Sequence, residues 1–169
     1  MTLMTETAQA QTHGEFLPYL MNRVISQINA PMQRELKRRG MTMTHWRVLG
    51  FLAERDGLII SELAERTVTD QATLSRALDR LQERGLIRRQ VVEQDSRQTE
   101  IHLCPAGREQ YEALVPVACA IEDWAFQRID ASQRAQLRQI LETISHTLGA
   151  SVEQSRSADT DDDAARSAA

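Results

Sequence analysis

The chain has 169 residues and a formal charge of −4, long enough for one core-bearing domain and too acidic overall to coat nucleic acid indiscriminately. Much of that charge is terminal, since five acids face two arginines between Ser151 and Ala169 and leave the tail at −3 and the rest at −1. The chain lacks the run of about 18 apolar residues that a membrane helix needs, and it has no leader-like segment or CxxC pair. A soluble cytoplasmic protein with Cys104 and Cys119 as free thiols is expected.

In chain order, residues 1–14 are polar and unpatterned and read as a flexible N-terminus. Leu17, Leu20, Met21, Val24, Ile28, Met32 and Leu36 then recur at helical spacing, predicting an amphipathic helix over 15–39 that Pro31 should kink. The helix closes on "RELKRRG", cations and a glycine at a C-terminus. Thr42 can cap a second helix through Trp46, Val48, Leu49 and Leu52. A short β-like stub, Leu58 to Ile60, leads into a helix that Ser61 can cap, with a break near Val68. "TDQATLSRALDRLQERG" predicts a strong helix with Leu74, Leu78 and Leu81 buried and Gly85 at its end.

"LIRRQVV" and "TEIHL" alternate as two strands around a long polar tip that carries Asp95 and Arg97. From Arg108 on, Tyr111, Leu114, Val115, Ala118, Ile121, Ala125 and Ile129 share a helical face, with Pro116 as a second expected kink. A last helix, capped by Ser132, carries Leu137, Ile140, Leu141, Ile144 and Leu148. The folded body is thus expected over 15–149. Residues 150–169 hold one branched aliphatic, Val152, and read as a disordered acidic tail.

The expected fold is mainly α with a small β-wing. Two short helices joined by a tight turn and followed by a hairpin make a winged helix-turn-helix over 42–104, whose second helix suits the DNA major groove. With its leucines inward, that helix turns Gln71, Ala72, Thr73, Ser75, Arg76 and Arg80 outward. Amides and hydroxyls near its N-terminus can read base edges, and arginines can clamp phosphate or guanine. Arg97 at the wing tip can enter the narrow, electronegative minor groove, with Asp95 bracing the wing through an ion pair. A winged-helix module for protein contacts alone is the competing reading, and these outward cations argue against it.

"MTMTHWRVLGFL", "SELAERTVTDQATLSRALDRLQERGLIRR" and "DSRQTEIHLCPAG", in that order, resemble the MarR family of bacterial transcriptional regulators over about Leu17 to Gly149. The resemblance implies a homodimer whose helices over 15–39 and 108–149 interleave between subunits. It also implies an inverted-repeat operator in double-stranded DNA and small anionic aromatic effectors that release it. Two positions depart from the family pattern. His45 stands where Gln or Glu is common, which would weaken a capping box with Thr42 or place His45 in the effector crevice. Cys104 replaces a helix-capping Thr. A helix N-terminus lowers thiol pKa, so a redox role for Cys104 is the alternative reading, although redox members share a first-helix cysteine that Phe16 to Arg39 lacks.

For an effector, the expected wall is Tyr19, Arg23, His45, Trp46 and Arg47, with Arg23 as a bidentate carboxylate anchor. Arg34, Lys37, Arg38 and Arg39 could hold the phosphates of a coenzyme A thioester or merely complement a helix end. An enzyme is not expected: His13, His45, His102 and His146 lie on separate elements, and no HExxH, P-loop or GxSxG pattern occurs. Metal ligands at helical spacing are also absent, and no cofactor is implied.

Overall fold

The computed structural model describes the backbone of residues 13–92 and 95–167, with side chains over 14–91 and 98–149. After a single 3₁₀ turn at His13–Glu15, α1 spans Leu17–Arg38 and α2 Met43–Glu54. Next come β1 (Leu58–Ile59), α3 (Ile60–Thr67) and α4 (Gln71–Glu83), then the wing strands β2 (Ile87–Val92) and β3 (Asp95–Leu103). α5 (Pro105–Glu112) and α6 (Val115–Ala125) complete one compact unit. A second unit begins at Phe126 and holds α7 (Ala131–Ser167).

The leucine periodicities end where they point. Leu36, Val48, Leu49, Leu52, Leu58, Leu63, Leu74, Leu78, Leu81, Ile101 and Leu114 are wholly shielded from solvent and form one core under the helix-turn-helix. The sheet is antiparallel in the order β1-β3-β2, with Leu58 opposite Ile101 and Ile87 opposite Leu103. β2 and β3 pair in regular register from Ile87–Leu103 to Val91–Thr99, the two strands expected from sequence, and one further pair, Val92–Asp95, follows a register shift toward the tip. Polar residues permit this because neither face of a projecting two-stranded ribbon has to be buried. Asp95 and Arg97 lie at the start of β3, and their side chains fall outside the described residues.

Several expected boundaries move. α1 continues through Pro31 without losing its helical run. Pro116 does not bend a long helix: the chain turns at Ala113–Leu114, and Pro116 sits in the first turn of α6, where its missing N–H is not needed. Ser61 is not a cap. Strand β1 runs directly into α3, and Glu62 Oε2 accepts the Ile59 N–H at 3.1 Å. Ser132 is likewise inside its helix, and Asp130 is the cap. The Gln133 N–H donates to Asp130 Oδ1 at 2.9 Å and the Asp130 N–H to Gln133 Oε1 at 3.1 Å, a reciprocal capping box. α7 runs past Gly149 to Ser167. Ala, Glu, Gln and Arg in that segment are good helix formers, although it carries no apolar stripe.

The "CPAG" motif has a packing cause. A Cβ at Gly107 would lie 2.1 Å from the Leu86 carbonyl oxygen, so only glycine lets α5 close against the base of β2. The Cys104 N–H donates to that same carbonyl at 3.0 Å.

Candidate nucleic-acid interface and adjoining cleft

α4 begins at Asp70, whose Oδ1 accepts the Thr73 N–H at 2.9 Å, and this bond holds the carboxyl below its ordinary pKa. The inner face of α4 is Leu74, Ala77, Leu78 and Leu81. Gln71, Ala72, Ser75, Arg76 and Arg80 are exposed and Thr73 is half-exposed, with Arg76 Nη2 3.5 Å from Thr73 Oγ1. Asp79 pairs with Arg89 of β2 at 2.7 Å and fixes the wing to α4.

A second clasp joins the wing to the end of α2. Asp56 accepts the Leu103 N–H at 2.7 Å and lies 3.0 Å from His102 Nδ1, while His102 Nε2 lies 3.0 Å from Glu100. Burial would raise the Asp56 pKa, but the hydrogen bonds from Leu103 and His102 carry it below its ordinary value.

Of the two roles expected for His45, the structure gives it the cap. The residue is 2% exposed and completes the capping box of α2: Thr42 Oγ1 accepts the His45 N–H at 3.2 Å, and His45 Nδ1 accepts the Thr42 N–H at 3.3 Å. An imidazole nitrogen serves here as a glutamine oxygen would. Burial, followed by the nearby charges of Arg84 and Arg80, pushes its pKa down. His45 therefore belongs to the fold and does not line a crevice.

Between α2 and α5 opens a cleft of about 520 Å³, lined among others by Trp46, Arg47, Phe51, Arg108 and Tyr111. Trp46 and Tyr111 stack with centroids 4.8 Å apart and planes 26° from parallel. Gly50 makes room for them, since a Cβ there would meet Tyr111 Cε2 at 3.2 Å. Glu54, Arg108 and Glu112 are exposed at the rim, and Arg47 is half-buried in the wall. Such a cleft can hold a flat ring against the stacked aromatics and meet its acid group with a guanidinium.

Of the effector residues expected from sequence, Trp46 and Arg47 line this cleft, whereas Tyr19, Arg23 and His45 do not. Tyr19 and Arg23 lie on the exposed face of α1. The "RELKRR" cations are also elsewhere. Arg38 and Arg39 pair with Glu35 at 3.2 and 2.9 Å, and Arg34 and Lys37 are exposed. The helix end is served by Arg84, which donates to the carbonyls of Gly40 and Arg39 at 3.1 and 3.2 Å. Sequence reasoning missed Gly50, Arg108 and the ring role of Tyr111. An isolated glycine inside the apolar helix α2 was the available signal.

Cys104 occupies the N-cap of α5 without a side-chain capping bond, and both cysteines are free. Among the described residues no three His, Cys, Asp or Glu side chains gather as a metal site, and no helix is long and apolar enough to cross a membrane.

A family model described as MarR family matches residues 39–98. A MarR family transcriptional regulator from Silicibacter pomeroyi shares 39% identity and superposes with a TM-score of 0.71, over 77% of this chain and 88% of that one. The Bordetella bronchiseptica regulator BpsR, whose DNA binding is regulated by 6-hydroxynicotinic acid, shares 25% identity at a TM-score of 0.69, over 76% and 98% of the two chains. The transcriptional repressor IacR of Pseudomonas putida is 26% identical over 134 residues, 79% of this chain and 80% of its own.

Proposed function

This chain belongs to the MarR family of transcriptional regulators, which bind DNA as dimers and respond to small molecules, and from that we propose a repressor released by a small aromatic acid. The observation that carries the effector is the Trp46–Tyr111 stack with Arg47 beside it, in a cleft that adjoins the helix-turn-helix. A free acid fits better than its coenzyme A thioester, because Arg34, Lys37, Arg38 and Arg39 are not in the lining and Glu35 already engages two of them. The repressor sign draws support from the relative IacR, which carries that name.

For DNA, α4 enters the major groove. Gln71, Ala72, Thr73 and Ser75 meet base edges, Arg76 and Arg80 meet phosphate or guanine, and Arg97 of the wing enters the minor groove. The dimer is built from the faces that one protomer leaves bare: Leu17, Leu20, Val24 and Ile25 of α1, Trp124 of α6, and Ile140, Leu141 and Leu148 of α7.

The test is to select a duplex from a random pool with this protein, then titrate the complex with benzoate, 6-hydroxynicotinate and benzoyl-coenzyme A. Release by a free acid, lost in Gly50→Ala where Tyr111 is displaced, is the expected result. Release by the thioester alone, sensitive to Arg38→Gln and Arg39→Gln, would move the site to the α1 cluster.

A further inference from the structure

We propose that Arg47 is a positioning residue that ties the reading head to the cleft, through a strained turn at Val68. The inference rests on the cleft being the effector site. Arg47 lies in the cleft wall, and its Nη1 also donates to the Thr67 carbonyl at 3.2 Å, the last carbonyl of α3. That oxygen accepts a second bond, from Thr69 Oγ1 at 3.1 Å. Between the two lies Val68, at φ 51 and ψ 52. Among the described residues it is the one non-glycine with a positive φ.

Left-handed backbone is costly for any residue with a Cβ and most so for a β-branched one. Packing does not hold Val68 there, since its side chain is 87% exposed. What holds it is hydrogen bonding of the flanking backbone: the Val68 N–H to α3 carbonyls, the Thr69 N–H to the Ala64 carbonyl at 3.1 Å, and the two donors on Thr67. Two residues later Asp70 caps α4, so this turn sets the angle at which the recognition helix leaves α3. A second cleft residue reaches the same place, for the Arg66 guanidinium of α3 lies 5.9 Å above the Phe51 ring.

Arg47 makes no ion pair among the described residues, so its one strong commitment is to a neutral carbonyl. A carboxylate pairs with guanidinium through two charge-assisted bonds and outcompetes such an acceptor. A carboxylate seated against Trp46 and Tyr111 thus draws Arg47 off Thr67. The turn loses a restraint, Val68 relaxes out of its left-handed conformation, and α4 tilts away from the angle that reads DNA. By linkage, the effector weakens DNA binding by the same factor that DNA weakens the effector.

The full-length dimer, carrying Trp124→Phe so that Trp46 is the one emitter, and its selected duplex supply the test, with benzoate as the probe, its binding followed by Trp46 fluorescence and DNA release by anisotropy. Strain of this kind shifts an equilibrium by about five- to thirtyfold. Arg47→Gln is expected to weaken DNA binding within that range without benzoate. Val68→Gly, which removes the Cβ penalty of the left-handed conformation, should rescue Arg47→Gln to within about twofold of Val68→Gly alone. In Val68→Gly benzoate should still quench Trp46, yet lose most of its power to release DNA. Equal release from wild type and Val68→Gly, or additive effects of the two substitutions, would overturn the latch and leave the effector cleft standing. If benzoate and 6-hydroxynicotinate both leave wild-type Trp46 unchanged, the aromatic-acid reading of the cleft fails, and the release step of the latch fails with it.

Discussion

Acid should loosen this protein through His45, and the loss can be worked from the capping box. Nδ1 accepts the Thr42 N–H, so the ring must be neutral at that nitrogen. Protonation would set two donors face to face in a site 2% exposed to solvent. Burial and the charges of Arg84 and Arg80 lower the folded pKa below the ordinary 6.5. The sign follows: once pH falls through 6.5, the unfolded chain takes up a proton that the fold refuses, so stability declines toward acid. The slope is at most one proton, about 1.4 kcal/mol per pH unit. It ends when the folded ring is itself protonated, at the expense of a cap worth about 0.5–2 kcal/mol. Relative to His45→Gln, whose amide oxygen accepts without titrating, wild type should lose about 1–2 kcal/mol between pH 8 and pH 5. Urea unfolding of both proteins at one fixed protein concentration measures this, and the His102 clasp cancels because both variants keep it. A stability difference that stays flat across that range would show that His45 is not a neutral acceptor.

Gly107→Ala should destabilise the winged domain by about 1–3 kcal/mol, the usual cost of overpacking, because the new methyl meets the backbone oxygen of Leu86 rather than a movable side chain; a urea midpoint equal to wild type would contradict the close approach. Arg97→Ala should weaken binding to the selected duplex with an unchanged urea midpoint, whereas Thr73→Ala should change which base is preferred, by about 1–3 kcal/mol for the position affected; unchanged affinity in the first variant speaks against minor-groove entry by the wing. Sedimentation should find a dimer at micromolar concentration, and charge placed on the bare α1 face, as in Leu20→Glu with Val24→Glu, should yield monomers that no longer bind the duplex; a monomeric wild type would remove the interface reading.

Periodicity made the helices, the leucine core and the helix-turn-helix-wing order legible, because burial of an apolar stripe is a local pattern that the chain repeats every three to four residues. The outward face of α4 followed from the same pattern, as the complement of Leu74, Leu78 and Leu81. Caps were less legible, because which of several polar residues closes a helix depends on where the preceding element delivers the chain. Ser61 and Ser132 lost that role to Glu62 of α3, which reaches back to the Ile59 N–H of β1, and to Asp130 paired with Gln133. The cleft was mostly hidden. Trp46 and Tyr111 are 65 positions apart, and only the closure of α5 over Gly50 and against Leu86 brings them into a stack. Adjacency to Trp46 suggested His45 and the family resemblance suggested Arg23, but Arg23 lies on α1, and a neighbour in sequence such as His45 faces another direction once α2 forms. His45 turns into the core while Trp46 and Arg47 turn to the cleft, a choice that packing against α4 and α5 made rather than the residues themselves.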